Sequence, residues 1–158
     1  MIEIQKSKTA DTRTCDFTKV TKETLLASSL QHIEDVRKGF DFFKAKMDWA
    51  AENHDFDKIR DIDGFHSDFI TGFKEHAWWD FHRQINRHHL LEKDGVRDDV
   101  NLVDVLDMIV DCVMAGMGRS GSVYPLTIDA DVLKKAFDNT VELLKSQVVV
   151  KEEKAGAN

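Results

Sequence analysis

A single proline, Pro125, in 158 residues leaves this chain with almost nothing that stops a helix. Proline removes a backbone donor and clashes with the turn before it, so folds rich in loops and edges usually carry several. The expected class is therefore all-α. The length suits one domain, since single cores typically hold about 100–150 residues. The apolar spacing agrees. Leu30, Ile33, Val36, Phe40, Phe43, Met47 and Ala50 recur at steps of three and four, which predicts a long helix ending near Glu52. Ser28 or Ser29 is a candidate N-cap, with an earlier start at Thr21 as the alternative.

A polar stretch, NHDFDKIRDIDG, interrupts the pattern. An aromatic-rich element follows from about His66 to His89, and Asp94-Gly95 has turn chemistry. Residues 101–117 carry apolar side chains around much of a helix, which predicts a central buried one. A Gly/Ser loop then leads to a last helix, from Ile128 or Asp129 to about Val148. The expectation is one domain of about five helices over residues 21–150, after a loosely ordered lead-in at 1–20 and before a frayed tail at 151–158.

Charge excludes some functions. Lys and Arg number 22 against 29 Asp and Glu, a net charge of −7, which argues against general nucleic-acid binding. No run approaches the roughly 18–20 apolar residues of a membrane helix, and the first residues hold no apolar signal segment, so no membrane partner is expected. Cys15 and Cys112 lie far apart without a pairing signature, which fits a reducing cytoplasm.

Function is written in the histidines. All seven lie between His32 and His89. His54-Asp55 is followed by Lys58, and Asp104, Asp107 and Asp111 fall on one stripe of the apolar helix. Carboxylates on a buried helix need a partner, and a divalent ion supplies one. His32 stands 22 residues before His54, about 30 Å along a straight helix, so the two meet only if the chain breaks or reverses between them.

The order His32, His54-Asp55-x-x-Lys58 and Asp111 resembles the HD-domain metal-dependent phosphohydrolase superfamily. The segments QHIEDVRKG, HDFDK, INRHHL and VDVLDMIVDCVMAGMGRSG resemble a small HD-like group frequent in phage genomes. The resemblance implies an all-α HD-like domain with a metal held by His32, His54, Asp55 and Asp111, with Asp107 as the fallback for the last. It also implies a possible second ion at His82, His88 and His89. The metal would be Mn, Fe, Ni, Co or Zn. Asp55 would orient or deprotonate the nucleophile. Lys58, His82, Arg87 or Arg119 would stabilise phosphoryl charge, with Asn86 also against substrate. The substrate class implied is a nucleotide, such as a (deoxy)nucleoside 5′-monophosphate; the lack of a GYP signature argues against cyclic-di-nucleotide cleavage. A homodimer is expected. The alternative is a phage-type interaction protein that binds a host factor on the same scaffold.

Other residues have plainer readings. Asp104 is expected to face solvent, Trp78 and Trp79 to pack in the core, and Cys112 to fill space there. Gly116, Gly118 and Gly121 are expected to end the apolar helix, and His66 and His76 receive no role. The histidines and Arg87 near residue 88 also suit an ordinary basic helix end.

Overall fold

The computed structural model describes residues 1–6, 16–75, 77–92 and 95–152. Expectations placed on residues 7–15, including Cys15, on His76, on Asp94 and on residues 153–158 lie outside the described residues. The described chain is mostly helical, with six α-helices and short strands. It falls into two compact units, Met1–Lys44 with Leu143–Asn158, and Ala45–Glu142.

In the first unit the lead-in begins with order that the sequence reading did not expect. Strand β1 (Ile2–Gln5) pairs in parallel with β4 (Val148–Lys151), in the register Ile2 to Val148 through Gln5 to Lys151. Three successive valines favour an extended chain, and the alternation of IEIQ gives them a partner. Helix α1 (Lys22–Asn53) starts at the earlier of the two expected positions. Thr21 Oγ1 accepts from Thr24 N at 3.2 Å, and the Ser29 hydroxyl instead donates to the Leu25 carbonyl at 2.8 Å. The apolar stripe of α1 is not buried: Leu30 is 58% exposed and Phe40 71%.

The second unit holds the clustered histidines and aspartates. After the end of α1 come α2 (Phe56–Arg60), α3 (Ile62–Phe69) and α4 (Ala77–Ile85), then a 3₁₀ turn at Arg87–His89. The single element expected from His66 to His89 is thus three pieces, and helix begins inside the polar stretch before it. A short antiparallel pair, β2 (Leu91–Glu92) with β3 (Gly95–Val96), leads to α5 (Leu102–Ser120) and α6 (Ala130–Gln147).

Local chemistry sets these boundaries. Asn101 and Asp104 form a reciprocal capping box at the start of α5. Gly121, at φ 70°, ends it in the left-handed conformation that glycine adopts without cost. Asp129 Oδ1 accepts from Asp131 N at 2.8 Å and so caps α6. The small core is Leu90, Val100, Val105 and Ala136, with Leu102, Met108, Ile128 and Val132 against it. One face of α5 faces this core. The other does not, since Val110 is 58% and Met114 66% exposed, so α5 is half-buried where a fully enclosed helix was expected.

Candidate metal centre

His54 and Asp55 form the turn between α1 and α2. Asp55 has φ 52° and ψ 24°, a left-handed conformation uncommon outside glycine but tolerated by aspartate. This turn places its two side chains beside the 3₁₀ turn that carries His88 and His89. From the next helices, α2 brings Asp57 and Lys58, α4 brings His82, and α5 brings Asp107 and Asp111.

Asp55 is the hub. Its Oδ1 lies 3.4 Å from His82 Nε2 and 3.6 Å from His88 Nε2. That oxygen is buried and has no hydrogen-bond partner. Its Oδ2 takes a hydrogen bond from the Lys58 ammonium and lies 3.6 Å from His54 Nε2. His54 Nε2 is in turn 3.6 Å from Asp111 Oδ1, while His54 Nδ1 is 2.8 Å from Asp107 Oδ1. Asp111 thus stands on the Nε2 side of His54 and Asp107 on the opposite side. His89 Nε2 is 3.0 Å from His82 Nε2.

These spacings fit a cation. Ligands about 2.1 Å from an ion stand roughly 3.0–3.4 Å from one another. Among the described residues, two groups of donors have their ligand atoms within 4.8 Å of one another: His82, His88 and His89, and His54, His88 and Asp111. A third contains Asp55, Asp57 and His82. A buried carboxylate oxygen without a donor beside converging imidazole nitrogens is costly, and a positive ion removes the cost.

Protonation favours the same fit. Burial works against charge on Asp55, but the Lys58 hydrogen bond and the neighbouring His54 and His88 outweigh it, holding the carboxyl below its usual value. Burial and the adjacent His54 push His88 below the ordinary imidazole value. Burial, with His88 and His82 alongside, takes His89 down to about 3. Neutral imidazole and ionised carboxylate are the ligand forms.

Several expected site residues lie elsewhere or are otherwise engaged. His32 sits within α1, which runs unbroken to Asn53, so the reversal that would bring it to His54 along the chain is absent. It belongs to none of the donor groups found among the described residues. Arg87 grips Asp104 with two bonds, at 2.7 and 2.8 Å, and donates to the Asp99 carboxylate at 2.9 Å. Burial opposes its charge, but both carboxylates raise its pKa above the usual guanidinium value. This pairing corrects the solvent-facing expectation for Asp104, which is buried because Arg87 and the capping box satisfy it. Asn86 is buried and donates to Asp57 Oδ1 and to the His82 carbonyl. Arg119 is exposed in the last turn of α5, eight residues and about 12 Å of helical rise beyond Asp111.

Asp57 was absent from the sequence reading. It lies in the segment HDFDK, but only the fold shows that it is 5% exposed and 2.8 Å from His82 Nδ1. The Trp78 expectation holds, since its ring is buried and stacks on His82 at 5.0 Å. Cys112 is only partly buried, and burial together with Asp111 raises its thiol above the ordinary value.

Beside the cluster runs an apolar groove of about 570 Å³, walled by Met47, Ala50 and Ala51 of α1 and by Val110, Met114 and Ala115 of α5. His54, Asp107 and Asp111 form its polar margin. No helix among the described residues is long and apolar enough to cross a membrane. No protein-family model, curated protein or solved structure matches this chain.

Proposed function

We propose that the chain is a divalent-metal-dependent phosphohydrolase of HD type, acting on a nucleotide phosphate ester such as a (deoxy)nucleoside 5′-monophosphate. One observation carries the reading: the buried, unpartnered Oδ1 of Asp55, with imidazole nitrogens 3.4 and 3.6 Å away. His82, His88 and His89, with Asp55 beside them, are the residues that would hold one ion, and His54, His88 and Asp111 form a second donor set. A bound divalent ion supplies a Lewis acid for a phosphoryl oxygen and makes water a better nucleophile near neutral pH.

The chain's own groups supply the rest. Lys58 keeps Asp55 ionised and adds a positive charge at the site. The groove wall fits the flat, weakly polar part of a nucleoside, and its margin offers two carboxylates and no lysine or arginine. A phosphate is repelled there unless a cation is present, so nucleotide binding should require metal.

The test is elemental mass spectrometry on untagged protein prepared without chelators, for wild type and for His54→Ala combined with Asp55→Ala. A near-stoichiometric transition metal in wild type alone, with metal-dependent phosphate release from nucleotides, is expected. No metal in wild type after loading with Mn²⁺ or Ni²⁺ would sink the reading.

A second reading rests on α5. Leu106, Val110, Met114 and Met117 are 48–66% exposed, and contiguous apolar surface of this kind marks interaction sites. Under it the chain is a phage-type binding module that captures a host protein, or pairs with its own copy. Asp55→Ala separates the two: a binder keeps its partner, and an enzyme loses turnover.

A further inference from the structure

The donor nitrogen of His82 is useful to an ion only if it carries a lone pair, and nothing in the sequence decides that. The ring is fully enclosed, between Trp78 and Trp79 at 5.0 and 5.1 Å, so water cannot settle its protonation. Its Nδ1 lies 2.8 Å from Asp57 Oδ2. The other oxygen of that carboxylate, Oδ1, accepts from Asn86 Nδ2 at 2.8 Å. The same Asn86 nitrogen donates to the His82 carbonyl at 3.0 Å; it also lies 3.0 Å from His82 Nδ1, but its two hydrogens are taken by Asp57 and the carbonyl. Both of those neighbours are acceptors, so the amide must point its nitrogen at them. Asn86 is therefore fixed as a donor, and Asp57 as an acceptor on both oxygens.

We infer that Asp57 is a positioning residue, which with Asn86 locks His82 in the Nδ1–H form so that Nε2 meets Asp55 Oδ1 and His89 as a bare donor atom. The inference rests on the metal reading for its purpose, but its first half concerns the metal-free chain. Partners on the far nitrogen are what fix the tautomer and direction of a metal-binding histidine, and losing them typically costs about 10–100-fold in affinity.

The network predicts an unusual response to a nearly isosteric change. In Asp57→Asn, an amide nitrogen facing Asn86 would set donor against donor. The new amide must turn its oxygen to Asn86 and its nitrogen to His82 Nδ1. That nitrogen donates, so Nδ1 must accept, and the proton moves to Nε2. The double variant Asp57→Asn with Asn86→Asp gives up the bond to the His82 carbonyl but lets residue 57 donate to the new carboxylate and accept from Nδ1 again.

The experiment uses the full chain labelled with ¹⁵N-histidine and stripped of metal. Long-range ¹H–¹⁵N spectra read which nitrogen of His82 is protonated, and titration with Mn²⁺ or Zn²⁺ alone reads affinity. Wild type should show a protonated Nδ1 and a bare Nε2. Asp57→Asn should reverse them and weaken metal binding about 10–100-fold, and the double variant should restore the wild-type pattern. A wild-type Nε2–H overturns the inference whether or not the variants fold. An unchanged tautomer in a folded Asp57→Asn overturns it too. Reversal with unchanged metal affinity overturns the positioning role. If wild type shows the expected tautomer yet binds no metal, the phosphohydrolase reading fails while the assignment of the proton stands.

Discussion

Two histidine–carboxylate pairs in the second unit share the same contact, 2.8 Å from Nδ1 to an aspartate oxygen, in opposite surroundings. His82 with Asp57 is enclosed, at 0% and 7% side-chain exposure, and two tryptophan rings flank it. His54 with Asp107 is open, at 27% and 14%, with its ring stacked on His88 and its edge on the apolar groove. Packing fixes the first pair, so its geometry cannot relax around a missing partner. Water reaches the second, which can re-form its bonds with solvent. Under the proposed function, the enclosed arm would hold an ion and the open arm would admit substrate. Asp55 joins them, one oxygen towards each.

The largest effect should come from removing one ring from each arm. His82→Ala leaves a cavity beside two tryptophans and strips a buried carboxylate of one donor, costing about 2–4 kcal/mol in urea unfolding of the metal-free chain. His54→Ala should cost about 1 kcal/mol or less, because Asp107 can turn to water. Both should lose metal. Equal stability costs for the two variants would break the contrast between the arms.

Acid tests the two imidazoles that lie between these pairs, His88 and His89. The unfolded chain protonates its histidines near pH 6.5, while the folded chain holds His88 below that value and His89 down to about 3. The unfolded state then binds more protons, so stability is fully present above pH 6.5 and falls as pH drops towards the folded values. Each imidazole that stays neutral contributes a loss of up to about 1.4 kcal/mol per pH unit. Urea midpoints of metal-free protein at pH 7.5 and 5.5 measure it, above the window in which carboxylates such as Asp55 and Asp99 titrate. A flat profile would mean that His88 and His89 take up protons while folded.

The local parts of this site were legible in the sequence, and the long-range ones were not. His54-Asp55 and Lys58 announce themselves because they fall within one turn of each other. The Asp107–Asp111 stripe follows from helical period alone. His88 and His89 drew attention as adjacent members of the seven histidines confined to residues 32–89. The role of Asp57 was hidden because it depends on α4 packing against α2, 25 residues away in sequence, which no periodicity encodes. Arg87 misled for a related reason: a guanidinium beside histidines suggests an anion, and only the fold reveals Asp104 and Asp99 as its partners. His32 shows the converse: the helical pattern that made α1 readable runs on through Asn53, with no break between it and His54, and His32 joins none of the donor groups among the described residues. The strands β1 and β4 were missed because four-residue segments at opposite ends of a chain give no local sign of each other.

The smallest effect has the opposite sign to the others. Lys58 donates to the Asp55 oxygen on the open side, so it favours the ionised carboxylate that an ion needs. Its ammonium also repels any cation placed there. At pH 7 the carboxylate of Asp55 is already ionised, so only the repulsion counts, and Lys58→Met should tighten metal binding by about 1 kcal/mol or less, roughly two- to fivefold. Below about pH 5 the lost lysine leaves Asp55 easier to protonate, and the variant should bind more weakly than wild type. The two affinity curves should therefore cross as acid is added. Because Lys58 sits on the Oδ2 side, His82 should keep its wild-type tautomer throughout. A variant that binds more weakly at every pH would assign Lys58 to the framework of the site, and place the open arm under the same rigid control as the enclosed one.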